Sequence, residues 1–155
     1  MEHNFNHEAA IPNPALKLLG LLLGEWETIG SHPYLPNLVL HGHTSFQWME
    51  GGAFMIMHSE IDEEGVPSGI AVFGSDDATG EYFMLYFDER SISRKYNVEF
   101  NNHTMTWWRN THDFYQKCTC IVSDDGNTII SKGLLSRDNK SWENDLELTY
   151  TRIKK

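Results

Sequence analysis

The sequence predicts an all-β fold: a single closed antiparallel barrel of about ten strands with one short N-terminal helix. Three observations predict it. From Pro33 onward, turn signals recur at short, even spacing and separate runs in which apolar and polar residues alternate. One apolar helical stripe occurs in the chain, between Pro14 and Leu23. Directly behind it stands Gly24-Glu25-Trp26, where the helix hands over to a first strand. Five Trp, eight Phe and six Tyr provide bulky side chains that a barrel core uses and a disordered chain lacks.

Residues 1–13 are polar, with two His and one Phe, and are expected to form a flexible tail, leaving 14–155 as the barrel domain. Asn13-Pro14 is a helix start, a capping Asn followed by Pro at the first helical position. Leu16, Leu19 and Leu23 follow one stripe flanked by Leu18 and Leu22, so this helix is expected to be buried on most sides. Gly24 fits its stop.

The strands then follow in turn. Trp26 to Ser31 ends at the Pro33 to Pro36 turn. Leu38 to Met49 is joined by Glu50-Gly51-Gly52 to Ala53 to Ile61. Ser68 to Gly74, Tyr82 to Asp88, Ile92 to Phe100 and Thr104 to Arg109 come next. Phe114 to Ser123, Thr128 to Ser136 and Trp142 to Ile153 complete the set. Alternation places Leu38, Leu40, Gly42, Thr44, Phe46 and Trp48 on one face of the second strand. In the sixth, Ile92, Arg94, Tyr96, Val98 and Phe100 share the apolar, inner face. The third strand is apolar on both faces, and its alternation does not choose between them.

At 155 residues the chain is one domain with room for a substantial core. Its net charge of −10 argues against nucleic acid and anionic membrane surfaces as partners. Residues 1–10 hold no apolar h-region, so a secretory signal is not expected, and Leu18 to Leu23 is too short to span a bilayer. Cys118 and Cys120 lie two apart on one strand and point to one face, where a bridge between them would be strained. Reduced thiols and a cytoplasmic location are expected.

The apolar stretch Leu19 to Trp26, the segment Phe46-Gln47-Trp48-Met49-Glu50-Gly51-Gly52-Ala53-Phe54 and the final Leu148-Thr149-Tyr150-Thr151-Arg152 resemble the calycin superfamily of lipocalins, fatty-acid-binding proteins and nitrobindins. Within it, the chain is similar to small bacterial lipocalin-like barrels related to nitrobindin, from about Leu16 to the C-terminus. The resemblance implies that Trp26 plugs the closed end of a calycin-like barrel and that Arg152 packs over it. Nitrobindin-type barrels hold haem through a histidine on a late strand. Trp142 to Ile153 has none, and the last histidine is His112. The resemblance therefore carries over no haem ligand, and no cofactor is expected.

No nucleophile elbow, zinc-protease helix, phosphate loop or Cys-x-x-Cys occurs. His41 and His43 share a strand face, but it is the polar one and a third metal ligand is missing, so no metal site is expected. Asp62-Glu63-Glu64, Asp76-Asp77 and Asp124-Asp125 fall in hairpin turns and read as solvated tips. The residues expected to line a ligand cavity are Arg94, His58, Tyr96, Trp108, Phe46, Trp48, Phe54 and Ile56. An inward guanidinium must be paired, by Glu60 or by a ligand anion.

Three functions fit these residues. The first is a barrel binding a small apolar, acidic molecule. The second is a small enzyme using His58 and Glu60 as an acid–base pair. The third is a filled scaffold whose outer face meets another protein or a second copy as a homodimer. The volume and polarity of the interior discriminate between them.

Overall fold

A computed structural model describes residues 11–154. Residues 1–10 of the expected tail lie outside the described residues. A 3₁₀ helix (Pro14–Leu22) precedes ten strands: β1 (Gly24–Ser31), β2 (Leu40–Met49), β3 (Phe54–Ile61), β4 (Gly69–Ser75), β5 (Tyr82–Asp88), β6 (Ile92–Asn101), β7 (Thr104–Thr111), β8 (Phe114–Val122), β9 (Thr128–Ser136) and β10 (Glu143–Lys154). A one-turn 3₁₀ segment (Glu50–Gly52) links β2 to β3. Each strand pairs antiparallel with its neighbours in sequence, and β10 pairs with β1, which closes the barrel and leaves no free edge.

The helix differs from the expected one. It is a 3₁₀ helix, capped by the Asn13 side chain, which accepts from the backbone N–H of Ala15. Its period of three buries Leu16, Leu19 and Leu22 and leaves Leu18 exposed. The 3.6-residue reading instead put Leu23 on the stripe and Leu22 beside it. The segment before it is anchored, since Asn13 N donates to Gly52 O at 2.9 Å.

This helix seals one end of the barrel, and Trp26 is the floor. Trp26 is fully buried, and its indole N–H donates to Leu22 O at 2.8 Å. The Arg152 guanidinium lies 4.1 Å from the ring centroid. It donates to the carbonyls of Leu23, Leu21 and Gly126. The inner rows of β2 and β6 follow the sequence alternation: Leu40, Thr44 and Phe46 are buried, as are Tyr96, Val98 and Phe100. Thr44 is satisfied by the Thr28 hydroxyl at 2.9 Å. Gly30 and Gly42 sit where a Cβ would come within 2.0 and 2.1 Å of the carbonyl oxygens of Glu147 and Glu60, so the neighbouring backbone leaves no room for a side chain there.

On β3 the inner residues are Met55, Met57 and Ser59, and the other parity, with Ile56, His58 and Glu60, forms the outer wall. On β7 the inner residues are Met105 and Trp107, which turns Trp108 outward. Among the described residues no helix is long and apolar enough to cross a membrane. The outer wall carries charge on most strands, including Glu27, Glu60, Lys95, Glu99, Lys117 and Lys132, all exposed.

Trp26→Ala is expected to destabilise the protein by about 3–5 kcal/mol, the loss usual for a large buried aromatic. Urea unfolding monitored by circular dichroism checks this; an unchanged midpoint would contradict the floor assignment.

Candidate functional site: the barrel cavity

Closing one end leaves a cavity of about 550 Å³ that opens at the other. Its base is Leu22 of the helix. Phe46, Phe73, Met84, Tyr96, Met105, Trp107 and Ile129 form much of its wall. Loops gather at the mouth: His32 to Leu35 after β1, Gly65 to Pro67 after β3, Arg90 after β5, Phe114 at the start of β8 and Arg137 after β9.

The polar groups inside form two clusters. In the first, Arg94 Nη1 donates to Gln116 Oε1 at 3.2 Å, and the Tyr96 hydroxyl donates to the same oxygen at 2.9 Å. The Phe114 ring lies 5.8 Å from the guanidinium carbon. Among the described residues no carboxylate forms an ion pair with Arg94. Glu60, the expected partner, is on the outer wall beside His58. Gln116 spends its carbonyl oxygen on two donors, which leaves the guanidinium charge unneutralised.

A neighbouring network fixes the rim. The Asp88 side chain is inaccessible to solvent and lies 2.7 Å from Arg90 Nη2. It also accepts from the Arg90 backbone N–H and from the Tyr86 hydroxyl, each at 2.9 Å. The Arg90 side chain, the Arg90 backbone N–H and the Tyr86 hydroxyl together hold the Asp88 carboxyl down at about 2. Burial, and then Asp88 itself, push the Tyr86 phenol well above its ordinary range. Across the mouth, a register shift in β10 between Asn144 and Glu147 accompanies the turn of Asp145 into the cavity. Asp145 Oδ1 lies 2.9 Å from His32 Nε2. The Tyr34 backbone N–H donates to His32 Nδ1 at 3.0 Å, so the proton of the neutral ring sits on Nε2 and is donated to Asp145.

The second cluster is deeper. Cys118 and Cys120 are successive inward residues of β8, both free thiols, with sulfurs 3.9 Å apart. Ser131 Oγ is 3.1 Å from the Cys118 sulfur. The bond to Cys120, together with burial, pushes the Cys118 thiol up. Burial does the same to the Tyr150 phenol, which lines the cavity nearby.

Of the residues expected at the site, Arg94, Tyr96 and Phe46 line the cavity. Trp48 faces inward but at the closed end, with its ring against Gly20 of the helix. Phe54 packs half-buried at the edge of the core, short of the cavity. Ile56, His58 and Trp108 belong to the outer wall, because their inner neighbours are the residues of opposite parity. His58 and Glu60 stand 3.7 Å apart with both side chains more than half exposed, outside the cavity. Sequence reasoning missed Gln116, Trp107, His32 and Asp145. The alternation of Gln116, Cys118, Cys120 and Val122 was a usable signal for β8, and Thr104 and Thr106 on the parity of Trp108 was one for β7. No sequence signal marks the β10 irregularity that turns Asp145 inward.

No family model and no curated protein matches the sequence. Solved structures do match its fold. One is the crystal structure of Rv2717c from M. tuberculosis, with a TM-score of 0.61 at 12% identity, covering 90% of this chain and 97% of that one. The fold is a closed ten-strand antiparallel barrel with one short N-terminal 3₁₀ helix. Another is the S-type phycobiliprotein lyase CPES from Guillardia theta, with a TM-score of 0.54 at 9% identity, covering 90% of this chain and 92% of that one. Across both likenesses the shared barrel architecture extends over nearly the whole chain.

The Asp88 network gives a pH dependence of stability. Its folded value of about 2 lies below the unfolded value of about 3.9. The contribution is therefore present in full above about 4 and is lost as pH falls through about 2. Asp88→Asn is expected to lower the thermal midpoint at pH 7 and to flatten its fall between about pH 4 and 2. Parallel acid curves for both proteins would contradict the network.

Proposed function

We propose that the barrel binds an elongated or aromatic apolar molecule carrying an acidic group, held in the cavity by Arg94. The observation that carries this reading is a guanidinium inside an apolar cavity without a carboxylate partner among the described residues. Such a charge is costly to cover unless it is paired. Its planar fork suits a carboxylate. At about 550 Å³ the space lies within the range of small-molecule sites, whereas a filled scaffold would leave no such room.

Arg137 stands with Arg94 in the lining, while Arg90 is paired with Asp88, and the chain as a whole carries a net charge of −10. Salt screens the remaining acidic surface beyond about 8 Å. The acid–base reading of His58 and Glu60 loses its support, since neither side chain reaches the cavity. Kinship with the bacterial lipocalin-like barrels related to nitrobindin belongs to the same proposal, and so does a cytoplasmic location, which suits two free thiols.

The test is a titration with fatty acids and aromatic acids beside neutral analogues of matched shape. Tryptophan fluorescence is the readout, because Trp107 lines the cavity 4.8 Å from the Tyr96 ring. Arg94→Leu is expected to weaken acids by about ten- to a hundredfold, the worth of a hydrogen bond to a charged group. Neutral analogues should change little. Equal loss for both classes, or no binding of either by the wild type, would overturn the reading.

A further inference from the structure

The inner cluster has a chemistry that an acid-binding cavity does not use. Cys118 and Cys120 present two sulfurs 3.9 Å apart to the cavity. Met105 is the register partner of Cys120 on β7, is buried, and lines the same cavity. Directly paired antiparallel residues hold their Cβ atoms about 4.5–5.5 Å apart, which puts the Met105 side chain within reach of the thiol pair. The register thus brings three sulfur-bearing side chains of adjacent strands together on one patch of inner wall.

We propose that Cys118, Cys120 and Met105 form a sulfur site for a soft monovalent cation of the Cu(I) type. Two metal–sulfur bonds of about 2.3 Å spanning the observed 3.9 Å subtend about 116°, close to a trigonal arrangement in which Met105 supplies the third donor. Thiolate and thioether donors select soft monovalent copper over hard ions. A tetrahedral zinc site would need further nitrogen, oxygen or thiolate ligands. Among the described residues no group of three His, Cys, Asp or Glu side chains converges to provide them. The nearby carboxylate, Asp145, is taken up by His32. On binding, each thiol releases its proton to solvent and three sulfur–metal bonds form, two from the thiolates and one from the neutral Met105 thioether, with no change in oxidation state. The site stands apart from Arg94: Gln116, which holds that guanidinium, is one inward position away from Cys118, about 7 Å along the strand.

The test uses Cu(I) held by a chromophoric chelator under anaerobic, reducing conditions. The wild type is expected to take one ion per chain, and X-ray absorption is expected to show sulfur neighbours alone. Cys118→Ser and Cys120→Ser should each weaken binding by about a hundredfold or more, since loss even of a supporting partner costs about 10–100-fold. Met105→Leu should weaken it less. Arg94→Leu should leave it unchanged, so failure of the acid-binding reading does not touch this one. No uptake, a nitrogen or oxygen shell in the wild type, or wild-type affinity in both serine variants would overturn the proposal. X-ray absorption on the wild type decides it even if a serine variant does not fold.

Discussion

The Arg152 guanidinium lies 4.1 Å from the buried Trp26 ring while donating to carbonyls of Leu21, Leu23 and Gly126. One side chain on the last strand thereby holds the first strand, the end of the helix and the β8–β9 turn. The carbonyls at a helix C-terminus lack intrahelical partners, and burying them without donors would be costly. Arg152 supplies those donors, and the Trp26 indole N–H satisfies Leu22 O. The charge itself is stabilised by the aromatic face beneath it. The closing seam, β1 against β10, runs directly from this contact, with Trp26 opposite Arg152 in register.

Sealing that end is what gives the interior its character. With the helix closing one end, the cavity opens at the other, and its polar groups sort by depth. Arg90 and Arg137 stand at the rim. Arg94, Tyr96 and Gln116 form a cluster along β6 and β8. The thiols and Ser131 lie deeper on β8 and β9. The period of two along a strand produces this ordering: on β8, successive inward positions are Gln116, Cys118 and Cys120.

How much of this was legible depends on how polar each strand's outer face is. In β6 the outer residues Ser91, Ser93, Lys95, Asn97 and Glu99 leave one assignment, and Arg94 and Tyr96 were placed on the inner face from sequence. In β3, Phe54, Met55, Ile56 and Met57 offer apolar residues on both parities, and the choice is made by packing across the barrel. In β7 the adjacent Trp107 and Trp108 blur the choice, and the polar Thr104 and Thr106 on the parity of Trp108 resolve it. The turns were legible because Gly, Asn and Asp take left-handed backbone there, as at Asn102 (φ 52°) and Gly126 (φ 74°). The helix was legible in position but not in type, because Leu16, Leu19 and Leu22 repeat every three residues and Leu18 and Leu23 blur the pattern. Asp145 was not legible, because a local shift in strand register brings it inward.

The clamp is tested most directly by a double-mutant cycle between Trp26→Leu and Arg152→Met, read by urea unfolding. Each variant keeps an apolar body in place while removing its half of the contact. A covered cation–aromatic pair predicts that the two losses fall short of additivity by about 1–2 kcal/mol. Losses that add within about 0.3 kcal/mol would show that Arg152 and Trp26 stabilise the barrel independently, which would contradict the clamp.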